Sequence, residues 1–417
     1  MSESIGTTTR LNNRYWPTRG TEKAFLLLEL NGEAVELRKK NRAPMNISLV
    51  LDRSGSMEGA PLVFSKKACQ FVTEQLTDND RFSLVVFDDE VQTVIPPQKV
   101  TNKDGLKKQI ESIVAGGSTN LSGGLLQGIQ HVKQGKEEGS VNRIILLSDG
   151  HANEGITDSD KLQSIAKEFS SMGIGITAMG AGDGFDEELM EGLAEHGGGN
   201  FYFIAKPEEI PAIFSKELES LLSVIAQNTR LTIRPSANVS INRIYGYQSE
   251  PVEQGVQLLL GDVFEGETKS VLIELSFGLH SEGRHRVLDL IWEYADVTEG
   301  VQLCTIQDSI EADFTSDIHL LMHQEADLYV EKQIKITETA LAIEDAIVAF
   351  DQGDEDMGVR LLQQQADTML CAAIQSEDAE LREEAQLLYH QLENFSFTSQ
   401  TRKTLHQQKY RQMKRKK

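Results

Sequence analysis

Three stretches of the chain are nearly unbroken runs of apolar residues: NISLVLD at 46–52, NRIILLS at 142–148 and GIGITAM at 173–179. Strands covered on both faces read this way, because no position along them points to water. RFSLVVFDD at 81–89, VQTVIP at 91–96 and NFYFIA at 200–205 complete the set of strand candidates in this part of the chain. Between them, amphipathic stretches predict helices over 61–76, 104–114, 122–133, 158–171, 186–196 and 207–226. Strands alternating with such helices predict an α/β unit with a mostly parallel sheet. The connection between 89 and 91 is too short for a crossover helix, so 81–89 and 91–96 form a hairpin that places one antiparallel strand at the sheet edge.

Past residue 227 the period changes to two. TRLTIRPSANVSINRIYGYQ, VQLLLGDVF, KSVLIELSFG, HRVLDLIWEYAD and VQLCTIQDSIEADF alternate apolar and polar positions, and turn-rich RPSAN, EGE and SEGR separate them. Closely spaced strands with no helix between them predict an antiparallel sandwich. KAFLLLELNGEAVEL at 23–37 has the same texture but precedes the α/β unit. It reads as a strand pair that completes the sandwich from the far side of the insertion, which makes the sandwich discontinuous. From 316 onward the pattern is helical. Leu321, Ala326, Leu328, Ile334, Leu341 and Ile347 predict one helix over 318–350, DQGDEDMG breaks it, and helices over 357–375 and 377–394 follow as a simple bundle. The expected organisation is therefore N-terminal sandwich strands at 1–44, the α/β unit at 45–226, the sandwich at 227–315, a helical region at 316–400 and a basic tail at 401–417.

Composition narrows the function. With 64 acids against 41 bases and a formal charge of −23 over 417 residues, the chain is a poor candidate for holding a phosphate backbone. The last stretch, TRKTLHQQKYRQMKRKK, carries eight bases and no acid, and reads as a solvated tail rather than a nucleic-acid arm. No run approaches the length of a membrane span, and MSESIGTTTRLNNRYW lacks the apolar centre of a secretory signal. No membrane span and no export are expected. Cys69, Cys304 and Cys371 are far apart, without C-x-x-C spacing, and read as buried reduced thiols of a cytoplasmic protein.

The candidate chemistry lies where the strands end. Asp52 closes the first apolar run, with Ser54 and Ser56 on the bend that follows. AGGSTNLSGG at 115–124 presents Thr119 before a helix start, and LLSDGHANEG at 146–155 puts Asp149 at the end of another buried strand. Ligands of open α/β sheets gather at these carboxyl ends. Two acids and three hydroxyls, with no histidine or cysteine, form an all-oxygen set suited to a hard cation such as Mg2+. Two carboxylates balance one divalent charge, and neutral hydroxyls leave the ion electrophilic enough to accept one more carboxylate.

D-x-S-x-S at Asp52, Ser54 and Ser56, the G-x-T-N loop at Thr119 and S-D-G at Asp149 resemble the metal-ion-dependent adhesion site of von Willebrand factor A domains. GAPL after the bend, FDDE at 87–90, GAGDGFDEELM at 180–190 and GGGNFYFI are further marks of that family, and the match runs over 45–225. The resemblance implies a Rossmann-like, doubly wound, six-stranded sheet. It implies that Asp52 and Asp149 bind the metal directly or through water, that Ser54, Ser56 and Thr119 supply hydroxyls, and that a partner's Asp or Glu completes the shell. Mg2+ is the expected ion, with Ca2+ and Mn2+ as alternatives. LGDVFEGETKSVLIEL at 260–275 looks like the sandwich beside such domains in bacterial homologues of inter-α-inhibitor heavy chains and of proteins named after chloride channels, although nothing here could cross a bilayer as a channel must.

The function this implies is a metal-dependent protein-binding adaptor of the bacterial cytoplasm, and not an enzyme. Two alternatives stand beside it: an accessory subunit regulating an AAA+ ATPase or a kinase/phosphatase system, and a scaffold that binds through its helical region. A serine hydrolase is disfavoured because Ser56 lacks a G-x-S-x-G elbow and His131 and His151 lack an evident acid partner. The glycine runs fit neither a phosphate loop nor G-x-G-x-x-G. Phe201, Tyr202 and Phe203 read as core.

Overall fold

The computed structural model describes residues 4–33, 42–298, 301–392 and 398–414. Three strands come first: β1 (Ile5–Leu11), β2 (Tyr15–Pro17) and β3 (Thr21–Gly32). The α/β unit follows as β4 (Met45–Asp52), α1 (Ala60–Gln75), β5 (Arg81–Phe87), β6 (Val91–Lys99), α2 (Lys103–Glu111), α3 (Leu121–Gly135), β7 (Val141–Ser148), α4 (Ser159–Ser171), β8 (Ile174–Ala181), α5 (Glu187–His196), β9 (Gly198–Ile204) and α6 (Ile210–Leu222). The sheet order is β6-β5-β4-β7-β8-β9, parallel except for the β5/β6 hairpin at one edge. Every residue of β4 and β7 is buried, as their apolar runs require. One apolar layer joins the sheet to α1, α2 and α6, and a second joins its other face to α3, α4 and α5. Short polar side chains set the helix starts. Asn120 accepts from Gly123 N at α3, Asp158 from Lys161 N at α4, and Asp186 from Leu189 N at α5.

The sandwich is built from both sides of this insertion. After it come β10 (Val224–Pro235), β11 (Val239–Tyr245), β12 (Ser249–Val252), β13 (Gly255–Phe264), β14 (Thr268–Phe277), β15 (Gly283–Asp296) and β16 (Gln302–Thr315). One sheet has the order β1-β3-β14-β11 and the other β12-β13-β10-β15-β16-β2. All pairings are antiparallel except β16 with β2. Leu26, Leu28 and Leu30 of β3 enter the core between the sheets beside Trp292 and Phe314. The alternate residues Phe25 and Leu27 pack outward against Val330 and Ile334. Covered on both faces, β3 therefore reads as a continuous apolar run.

The chain ends in α7 (Ile318–His323), α8 (Leu328–Asp351), α9 (Glu355–Ser376), α10 (Ala379–Leu392) and α11 (Ser399–Lys414). Five expectations need correction. The stretch 23–37 is not a strand pair, since one strand ends at Gly32 with β1 and β14 beside it, and 34–37 lie outside the described residues. The helix expected over 207–226 is a 3-10 turn at Pro207–Glu209 followed by α6, and the chain is already in β10 at Val224. The helix expected over 318–350 is divided, because Asp327 caps α8 by accepting from Tyr329 N and Val330 N. Of the three free cysteines Cys69 is buried, but Cys304 is half-buried and Cys371 exposed. Finally, the basic stretch 401–417 is not a solvated tail over its described part. It forms most of α11, where Lys403, Leu405, His406, Gln408, Tyr410, Gln412 and Lys414 are buried.

Candidate metal centre

The strand order reverses at β4. The connection through α1 leads to β5 on one side, whereas β7 pairs on the other. Loops leaving the carboxyl ends of β4 and β7 therefore diverge and leave a crevice between them, the ordinary ligand position in an open α/β sheet. Asp52 ends β4, and Asp149 directly follows β7.

Four of the five expected residues are joined by hydrogen bonds. Asp52 Oδ1 accepts from Ser54 N at 2.8 Å. Ser54 Oγ lies 3.1 Å from Ser56 Oγ, which donates to Asp149 Oδ1 at 2.8 Å. Thr119, buried, arrives from the neighbouring loop. Its carbonyl accepts from Asn153 N at 3.1 Å and Glu154 N at 3.2 Å, and a Cβ placed on Gly150 would lie 3.0 Å from Thr119 Oγ1. Ser56 is the exposed member of the set, while Ser54 and Asp52 are buried. Asp52 is thus not the exposed strand-end group its position at a loop implies.

Burial raises the carboxyl pKa of Asp52 above the usual range, against the opposing bonds from Ser148 and Ser54. Asp149 is pushed up to about 6, first by loss of water and then by the charge of Asp52, with the Ser56 bond working the other way. None of the ion pairs among the described residues involves either carboxylate. Arg53, between Asp52 and Ser54 in sequence, is instead turned to Asp88, with Nε 3.1 Å from Oδ2.

Two residues not singled out as site members shape the centre. Ser148 donates to Asp52 Oδ2 at 2.5 Å. Asp88 is buried and receives Glu90 N at 2.9 Å, Gly117 N at 3.3 Å and the Arg53 guanidinium. Its carbonyl accepts from Asn120 N at 2.7 Å. Together with Gly116 N to Arg53 O at 2.7 Å and Gly55 N to Gly117 O at 2.9 Å, these bonds stitch the Asp52 loop to the Thr119 loop. Gly116 has no alternative, because a Cβ there would lie 1.7 Å from Asp88 Oδ2. Asp88 stands within FDDE and Ser148 opens S-D-G, so both lay inside quoted motifs without an assigned part. Among the described residues there is no group of three or more His, Cys, Asp or Glu placed to hold a metal.

Residues 46–216 match the von Willebrand factor type A domain family. The chain contains a von Willebrand factor type A domain. An uncharacterized protein of Synechocystis sp. is 28% identical over 78% of this chain and 79% of its own length. Inter-alpha-trypsin inhibitor heavy chain H4 of Homo sapiens is 24% identical over 61% of this chain, which spans only 30% of that longer protein. Among solved structures, a von Willebrand factor type A protein from Catenulispora acidiphila superposes with a TM-score of 0.79 at 16% identity, over 99% of this chain and 98% of that one. At that identity the likeness speaks for the fold, and it takes in the flanking sheets and helices as well as the A domain. No helix among the described residues is long and apolar enough to cross a membrane.

Proposed function

We propose that Asp52, Ser54, Ser56, Thr119 and Asp149 hold a divalent cation, Mg2+ in the cell with Ca2+ or Mn2+ as substitutes, and that an Asp or Glu of a partner protein takes the remaining position. The observation that carries this reading is the pair Asp52 and Asp149: two acids withdrawn from water, joined through Ser56 and Ser54, with the adjacent Arg53 committed to Asp88. Buried like charges are costly unless a counter-charge sits between them. When bound, a divalent ion supplies that charge and an electrophilic position for an incoming carboxylate.

The chain's own residues then have separate parts. Ser148 holds the Asp52 carboxylate in orientation from the neighbouring strand, and the Arg53–Asp88 pair fixes the spacing of the two hydroxyl loops. Ser56, the exposed member, is the hydroxyl nearest an arriving partner. The arrangement favours capture over catalysis. Ser56 donates its proton to a carboxylate, and His131 is occupied on α3 with Gln127 at 2.9 Å and Thr93 at 3.3 Å. A cytoplasmic adaptor is the cellular setting that free thiols favour.

The test is a pull-down from lysate with wild type and Asp52→Ala, each with and without EDTA. Partners retained by wild type in Mg2+ and lost in the three other arms are expected. Retention by Asp52→Ala in EDTA would sink the adhesion mechanism.

A further inference from the structure

The seat of α11 reaches the metal loops. Between β8 and α5 the chain turns through residues 182–186, and this turn touches the candidate centre on one side and α11 on the other. Gly184 packs so tightly on the loop after β7 that a Cβ there would lie 2.6 Å from the carbonyl oxygen of Asp149. The residue before it, Asp183, offers its carbonyl to Ser399 Oγ at 3.1 Å. The residue after it, Phe185, is fully buried, and the Lys403 ammonium lies 4.6 Å from its ring centroid. Glu187 then pairs with Lys403 at 3.0 Å and with Arg402, which also binds Glu188 and Asp351 of α8. Ser399 Oγ and Lys403 Nζ, 3.0 Å apart, close the contact within α11.

The rest of the seat is also mainly ionic. His406 and Lys409 meet Glu191 at 2.8 and 3.0 Å, and Lys414 meets Glu195 at 3.3 Å. Only Leu405 and Tyr410 contribute buried apolar bulk, Tyr410 also donating to Gly199 O at 2.9 Å. Leu405 belongs to the apolar layer shared with α8 and α9, and Tyr410 to the layer beneath α5, so α11 is fastened both to the helical bundle and to the α/β unit.

From this geometry we infer that α11 is a positioning element for the metal centre: its docking on Asp183–Glu187 holds the turn that backs Asp149, so α11 docking and cation binding favour each other. The inference rests on the metal-site reading above. Arg402, Lys403 and Ser399 act through the turn and not by touching the ion. Thermodynamic reciprocity requires the converse effect, in which a cation that pins Asp149 also pins the turn and makes undocking of α11 less favourable.

The experiment uses full-length wild type, Arg402→Ala with Lys403→Ala, and Ser399→Ala, with Mn2+ as the probe. Mn2+ affinity is read by electron paramagnetic resonance, and hydrogen exchange of 182–187 and 399–414 is followed with and without the ion. The double variant is expected to bind Mn2+ about five-fold more weakly or worse, a modest allosteric coupling. Ser399→Ala, an exposed position that leaves the fold intact, is expected to lose about two-fold, the low end for one hydrogen bond. In wild type, Mn2+ is expected to slow exchange in 399–414, which a merely structural helix would not show. Equal affinity in wild type and Ser399→Ala, with no exchange response in 399–414, overturns the inference even if the double variant does not fold. Failure of wild type to bind Mn2+ at all overturns the metal reading and this inference together, so the two failures are distinct.

Discussion

Ser148 Oγ and Asp52 Oδ2 are 2.5 Å apart, a contact between neighbouring parallel strands that fixes one carboxylate of the candidate centre before any ion arrives. Ser148→Ala removes this donor from a fully buried acid. The expected result is weaker Mg2+ binding by roughly ten-fold, the scale of losing a hydrogen bond to a charged ligand. Isothermal titration measures it, and unchanged affinity would show that Asp52 is oriented without Ser148.

The pH response follows from Asp149, whose carboxyl is pushed up to about 6 from its ordinary 3.8. A folded-state pKa above the unfolded value favours the fold while the group is protonated. That contribution is complete below the ordinary value and is lost as pH rises through about 6. The metal-free protein should therefore lose this part of its stability between those limits. A bound divalent ion reverses the penalty, so the rise in Tm caused by Mg2+ should be larger at about pH 7.5 than at about pH 5. Equal increments by calorimetry would contradict the assignment of Asp149 as a ligand.

Gly116→Ala drives a methyl group to within 1.7 Å of Asp88 Oδ2. Asp88 is held by Arg53, Glu90 N and Gly117 N, so it has little freedom to yield. The expected cost is about 1–3 kcal/mol of overpacking strain, together with a loss of metal binding as the Thr119 loop shifts. Urea denaturation with and without Mg2+ separates the two effects.

A further prediction concerns the join between the A domain and the sandwich. Arg143 of β7 is buried, with Nη2 2.9 Å from Asp262 Oδ2 of β13. Arg143→Ala leaves Asp262 without this partner and opens a hole at the foot of the sheet. About 3 kcal/mol of destabilisation is expected, as for other broken buried pairs. Arg143→Lys should recover only part, because an ammonium cannot reproduce the guanidinium's second contact to Gly198 O at 3.4 Å.

The six-stranded sheet was legible because β4 and β7 are covered on both faces and their sequences say so directly. The residues proposed for the candidate centre could be picked out because Asp52, Ser54, Ser56, Thr119 and Asp149 sit on strand ends and loops whose motifs are local. What escaped depends on contacts between distant segments. Phe25 and Leu27 are buried by Val330 and Ile334 of α8, some three hundred residues away, so β3 carries no alternation that would separate it from a strand pair. Arg402, Lys403, His406, Lys409 and Lys414 look like a solvated run until Glu187, Glu188, Glu191 and Glu195 of α5 are placed opposite them. Ser148 and Asp88 lay within recognised motifs, but their parts depend on the registry of β4 with β7 and on the fold of the Gly116 loop, neither of which a motif encodes.

The insertion of the A domain within the sandwich has a mechanical consequence. Both covalent connections, into β4 at Met45 and out of α6 at Leu222, leave from the end of the sheet opposite the strand tips that carry Asp52 and Asp149. Eight residues of extended strand put about 25 Å between the root of β4 and its tip. A partner pulling on the tip would load two chains in parallel, one through β4 and one through α6. With the Arg143–Asp262 pair bridging the same root, tension from a captured carboxylate would be shared across the sandwich instead of peeling a single strand from it.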